Sequence, residues 1–286
     1  MKKLFSLILC LVTVITACFG LTACGDSVTE TDDQLAALTE VKSGASDIAV
    51  IDSVMANYYV NKENFSDLMI LTGDTFTFES EYYAIGARKG GNTDEYMSAA
   101  LYVLQMTDQL QPIAAKYGLT DVLCEIPASV VENLPTPDAI DPNSDFGKIL
   151  ANGKLVLGYT LFEPIAYMDG TTLTGFDIEV AQAVCDFYDI TLETVKINWD
   201  TKEDELNNGN IDVIWNGFTY TTARAENIDF SCYYLTNRQA IVIRKADAEK
   251  YVDYASMKNA KFAAESESAG ETTIRNIILP AVNSAK

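Results

Sequence analysis

The chain has 286 residues, with 41 acidic and 20 basic side chains, no histidine and a formal net charge of −21 at pH 7. So acidic a body disfavours nucleic acid and anionic lipid as partners, and the lack of histidine removes histidine-based triads, most zinc sites and the commonest general base. Its 48% apolar content is enough to bury one large core or two small ones.

At the N-terminus, Lys2 and Lys3 precede an apolar run, Leu4 to Leu21, that ends in Thr22-Ala23-Cys24-Gly25. A charged head, an apolar stretch and small residues predict a secretory signal peptide over residues 1–23. The competing expectation is a transmembrane anchor, for which the run sits near the lower length limit. The cysteine after Leu21-Thr22-Ala23 resembles the bacterial lipobox, which implies acylation of Cys24 and tethering to the cell membrane on its extracytoplasmic face. Beyond the leader, Cys124, Cys185 and Cys232 remain, an odd number without metal-like spacing that allows at most one disulfide.

Helical and strand signals then alternate. Gln34 to Val41 reads as a short helix, Ser46 to Ile51 as a buried strand ending at Asp52, and Val54 to Tyr59 as a helix. Ser27 to Thr31 is a thin candidate strand before them. Tyr82 to Ala87 is strand-like, and Asp94 to Lys116 carries apolar residues at helical spacing. The proline-rich, acidic stretch Pro127 to Asn143 reads as a connector. Its Asp141-Pro142-Asn143-Ser144-Asp145-Phe146-Gly147 is a poor calcium loop, because the glycine is one place late and no closing glutamate follows. Next come a strand at Lys154 to Tyr159, a turn at Asp169-Gly170, a helix at Asp177 to Tyr188 and a strand at Thr191 to Ile197. A helix near Thr201 to Asn207, strands at Ile211 to Trp215, Gln239 to Arg244 and Lys261 to Ala264, and a helix at Glu271 to Ala281 complete the chain. Such alternation predicts an α/β architecture with mainly parallel sheets.

The most informative stretch is Trp215-Asn216-Gly217-Phe218-Thr219-Tyr220-Thr221-Thr222-Ala223-Arg224, followed by Ile228-Asp229-Phe230-Ser231. It sets a glycine, hydroxyls and an arginine just past an apolar strand. N–H groups and hydroxyls can donate to a small carboxylate there, and the guanidinium can grip it with a planar fork. The stretch resembles the signature of the family 3 extracellular solute-binding proteins, the amino-acid receptors of ABC importers. That resemblance implies a two-lobe periplasmic-binding-protein-like (Venus flytrap, type II) α/β fold. It also implies an unusual order. The segment resembling the family's first half, Asp145–Lys286, follows the segment resembling its second half, Thr29–Leu119. The expectation is a circular permutant whose old ends are joined through linker 120–144. One lobe would be discontinuous, 24–81 plus 237–286, and the other continuous, 82–236.

Carried over residue by residue, the resemblance places Arg224 on the ligand α-carboxylate, with N–H groups of Thr219, Ser268 and Ala269 assisting. Asp52 and the Gly217 carbonyl would accept from the α-ammonium. Phe162 and Trp199 would sandwich the aliphatic part. Asp52 has an alternative as the cap of the helix after it, and Arg224 as a surface partner of Asp229 or Glu226. Glu265 and Glu267 set carboxylates where the family more often has neutral or basic residues. The implied function is a lipid-anchored, monomeric receptor that delivers an L-amino acid, of polar character, to an ABC transporter permease. No cofactor or metal and no nucleic acid partner is implied. Two other readings are a periplasmic cyclohexadienyl-dehydratase-like enzyme on the same scaffold and a permuted remnant acting as a sensor or surface protein.

Overall fold

Two helices of this chain begin where a polar side chain satisfies a free N–H group and end where glycine turns left-handed. Asp33 accepts from Ala36 N–H and Ser144 from Gly147 N–H, while Gly44 (φ 82°) and Gly153 (φ 66°) close the same two helices. The computed structural model describes residues 28–132, 134 and 139–285; residues 1–23, Cys24 and the stretch 135–138 of the connector lie outside them. The first part runs β1 (Val28–Thr31), α1 (Gln34–Ser43), β2 (Ile48–Asp52), α2 (Ser53–Tyr59), β3 (Leu68–Ile70), β4 (Glu81–Tyr83), β5 (Gly86–Arg88), α3 (Thr93–Met106) and α4 (Leu110–Tyr117). After the connector come α5 (Asp145–Asn152), β6 (Lys154–Tyr159), the hairpin β7 (Tyr167–Asp169) and β8 (Thr172–Thr174), α6 (Phe176–Tyr188), β9 (Thr191–Lys196), α7 (Lys202–Asn207) and β10 (Val213–Ile214). The remainder is β11 (Ile228–Phe230), β12 (Leu235–Asn237), β13 (Gln239–Arg244), β14 (Phe262–Glu265), α8 (Ala269–Thr273) and α9 (Leu279–Ser284).

The strands form two five-stranded sheets, ordered β1-β14-β2-β13-β3 and β9-β6-β10-β5-β11, with a two-stranded ladder of β4 and β12 as a further sheet. Read in those orders, both sheets have two parallel pairings followed by two antiparallel ones. The sheets are therefore mixed, not mainly parallel. The reason lies in how the chain enters. β13 and β5 follow directly on β12 and β4 and begin beside the ends of the central strands, Gln239 opposite Asp52 and Gly86 opposite Ile214. They can only run back against β2 and β10.

Each sheet is locked by the same device. Asp47, just before β2, accepts from Lys261 N–H (3.0 Å) and Arg244 (3.1 Å), and Arg244 also donates to the carbonyls of Val41 and Ser46. Asp212, just before β10, accepts from Val156 N–H (2.9 Å) and Arg88 (3.4 Å), and Arg88 donates to the carbonyls of Ile211 and Leu206. In both places one carboxylate closes the mouth of a parallel strand pair while the guanidinium satisfies one carbonyl near the end of the preceding helix and one in the loop after it.

Three expectations are corrected. The helical pattern over 94–116 is two helices, broken at Asp108 (φ 55°), because Pro112 has no N–H and its ring would strike the carbonyl of Asp108 in a continuous helix. The strand at 82–87 divides at Ala84-Ile85, where N–H groups leave the ladder for Phe218 O and Ser231 Oγ. The closing helix contains a π turn, Ile274–Ile278, beside Pro280, whose missing N–H spoils the ordinary ladder there. Val28–Thr31 does pair with β14 as an edge strand. Among the described residues no helix is long and apolar enough to cross a membrane, no cluster of metal ligands occurs, and Cys124, Cys185 and Cys232 are free.

The repeated lock makes a prediction about stability. Asp47→Ala and Asp212→Ala should each cost about 2 kcal/mol, because each leaves strand N–H and guanidinium groups unpaired at a partly buried site. Lys154→Ala, which removes an exposed, solvent-screened pair with Glu193, should cost far less. Urea melts of the three variants check the contrast; equal losses would deny the lock its role.

Candidate functional site

The ends of both central strands face one gap, and a narrow, nearly closed pocket lies there. It is lined by Gln34, Asp52, Phe162, Trp199, Asn216, Gly217, Thr219, Arg224, Glu265, Ser268 and Ala269. All eight residues expected at the site, Asp52, Phe162, Trp199, Gly217, Thr219, Arg224, Ser268 and Ala269, are in that lining.

The loop after β10 is held from beneath. Gly217 N–H donates to Asp177 Oδ2 at 2.6 Å, and the same oxygen accepts from Tyr234 OH at 2.8 Å. Burial pushes the Asp177 carboxyl up to about 7, against the pull of those two donors. Gly217 has φ 57°, and a Cβ there would sit 2.7 Å from the Phe162 ring, so only glycine fits. The tight turn at Phe162, closed by mutual hydrogen bonds with Ala166, puts that ring over the loop. Trp199 meets Phe218 edge-on at 5.4 Å. The two aromatic positions are nearly fully buried and form an apolar wall.

Arg224 reaches the cavity from a short turn beyond this loop. Its guanidinium lies 4.7 Å from the Phe218 ring centre and donates to Thr219 O (2.8 Å) and Glu267 O (3.0 Å). The first carbonyl follows β10 and the second follows β14, so Arg224 spans the gap between the two sheets. It makes no ion pair with Asp229 or Glu226 among the described residues; Asp229 pairs with Lys89 at 2.8 Å. Two N–H donors are in use, which leaves others of the five for a ligand.

Asp52 does not cap α2: its side chain makes no cap bond. It accepts instead from Gln34 Nε2 (2.6 Å), Gln239 Nε2 (2.8 Å) and Asn237 Nδ2, the last a very short contact. Burial pushes its carboxyl upward, and the three amide donors with Arg224 oppose that. Three donors converging on two oxygens favour the ionised form and leave one acceptor direction open. Ser268 caps α8 through its hydroxyl, which accepts from Glu271 N–H at 3.1 Å, and Ala269 is the first residue of that helix.

Sequence reasoning missed Gln34, Asn237 and Gln239 as the amides that hold Asp52, and Lys202 beside Trp199. Asn237 ends β12 and Gln239 opens β13, two residues apart, and both reach Asp52, a polar alternation that could have been read. Gln34 gives no such sign in a helix otherwise apolar on that side. Lys202 donates to Trp199 O at 3.0 Å and lies 4.9 Å from its ring; burial, then Arg224, bring its ammonium down to about 8. Glu81, on the crossing strand β4, accepts from Gln239 at 2.7 Å and is pushed up to about 7 by burial and by Asp52.

Residues 155–283 match the family model of the bacterial extracellular solute-binding proteins, family 3. The arginine-binding extracellular protein ArtP of Bacillus subtilis is 28% identical over 104 residues, 36% of this chain and 41% of that protein. The probable amino-acid-binding protein YxeM of Bacillus subtilis is 34% identical over 91 residues, 32% of this chain and 34% of that protein. A crystal structure of an ABC uptake transporter substrate-binding protein from Streptococcus pneumoniae with bound histidine is 36% identical, covers 30% of this chain and 36% of that one, and has a TM-score of 0.29. The chain thus spans about two fifths or less of the length of the curated relatives it matches. Over residues 155–283 it is similar to the bacterial extracellular solute-binding proteins of family 3.

Proposed function

We propose that the chain is an extracytoplasmic receptor for an L-amino acid that serves an ABC importer, tethered through a lipid on Cys24. The observation that carries the reading is the meeting of Arg224 and Asp52 in one cavity, each brought there by a different sheet. An amino acid offers one carboxylate and one ammonium a few ångströms apart. Arg224 would take the carboxylate, with the N–H of Ala269 at the start of α8 and of Thr219 beside it. The remaining acceptor direction of Asp52, with the Gly217 carbonyl, would take the ammonium. Phe162 and Trp199 would cover the aliphatic part and keep water out, which strengthens both charged contacts. Binding, not turnover, is the role we assign.

In this reading the two lobes are 24–81 plus 237–286 and 82–236, and the family's usual ends are joined through 120–144. The permuted order is supported by where the family match falls, in residues 155–283, which include β13 and β14, while β1, β2 and β3 of the same sheet precede it. Circular permutation requires original ends that lie near each other at the surface, and α4 and α5, which flank the connector, both pack on α3 or α6 of one lobe. An ABC permease is the partner, and the chain acts as a monomer.

Arg224→Ala should lower amino-acid affinity at least a hundredfold in calorimetric titration, since the carboxylate would be desolvated without its partner. Unchanged affinity would refute the assignment. Asp52→Asn should weaken an amino acid at least tenfold more than its deaminated analogue, while equal losses for both would make Asp52 a support of β2 and not a ligand contact.

A further inference from the structure

The cavity is lined by two acids, Asp52 and Glu265, and one base, Arg224. A zwitterionic amino acid brings no net charge, so an ionised lining would keep an uncompensated carboxylate. The structure identifies which one. Asp52 accepts from three amides. Glu265 is 5% exposed, yet no side-chain hydrogen bond of ordinary geometry reaches its carboxyl among the described residues; the Gln34 amide is near but is directed at Asp52. Burial, with Asp52 and Asp33 nearby, pushes the Glu265 carboxyl well above the usual carboxylate range, and only Lys202 and Gln34 pull it back. Lys202 forms no ion pair with it among the described residues, being held on the Trp199 carbonyl. The two acids stand at the ends of β14 and β2, neighbouring parallel strands that run about 4.8 Å apart.

We infer that Glu265 reads a positively charged ligand side chain, so that the receptor takes a dibasic amino acid. The inference rests on the amino-acid reading of the site and names its substrate class. With the α-carboxylate on Arg224 and the α-ammonium on Asp52, a second cation placed by Glu265 gives every charged lining group an opposite partner. It also relieves the repulsion between the two acids. A neutral amide side chain would leave Glu265 without an opposite charge. The acid therefore has a use in a place where its charge is otherwise a liability.

The test is calorimetric titration of the purified full chain with L-arginine, L-ornithine and L-citrulline, the last nearly isosteric with arginine but neutral. Arginine or ornithine should bind at least tenfold more tightly than citrulline, and Glu265→Gln should erase that preference while keeping citrulline affinity. Glu265→Asp should retain part of it. Citrulline binding as tightly as the cations, or a preference that survives Glu265→Gln, would overturn the inference and leave the amino-acid reading standing. If none of the common amino acids bound, that reading would fall and this one with it. Should the glutamine variant fail to fold, the comparison of arginine with citrulline on the native chain decides alone.

Discussion

Everything at this site depends on the buried Asp177 carboxylate. One of its oxygens fixes the N–H of Gly217 and the hydroxyl of Tyr234 together, and so ties the loop after β10 to the residue that precedes β12. Gly217 is left-handed and has no room for a side chain beneath Phe162. The loop therefore has one course, and Arg224 at its far end has one place to reach. A fully buried acid is costly by itself, and the two donors on Oδ2 offset part of that cost, while Oδ1 has no hydrogen-bond partner among the described residues.

The second organising fact is a division of charge. Asp52 and Glu265 come from the sheet that holds β2 and β14, and Glu81 from the crossing ladder next to it. Arg224 and Lys202 come from the other sheet's side. Closing the gap brings an acidic edge against a basic one. The two sides would attract even without a ligand, and Arg224 already bonds to the Glu267 carbonyl across the gap. In the proposed receptor, a zwitterion inserted there would exchange those contacts for stronger ones between full charges.

Much of this was legible beforehand because the relevant signals are local. The glycine and arginine of the Trp215–Arg224 segment, the strand ending at Asp52 and the aromatics beside turn residues each sit in a short stretch with its own chemistry. The two sheets were also readable as alternating strands and helices, but their mixed direction was not, since that depends on where β5 and β13 enter. The internal echo between Gly44-Ala45-Ser46-Asp47 and Gly209-Asn210-Ile211-Asp212 passed unnoticed. Only the paired Arg244 and Arg88 locks reveal that the spacing from glycine to aspartate serves the same end twice. The amides around Asp52 were out of reach for a different reason: Gln34 and Gln239 are far apart in sequence and meet only when β13 lies beside β2. The break at Asp108 was readable from Pro112, had the clash with the residue four before it been considered.

The most direct measurement is a thermal melt of the purified chain against each of the common L-amino acids at millimolar concentration. A ligand that binds only the folded state raises the midpoint by mass action. The account predicts a clear rise with one or a few amino acids and none with the rest. A cooperative melt that no amino acid moves would contradict it.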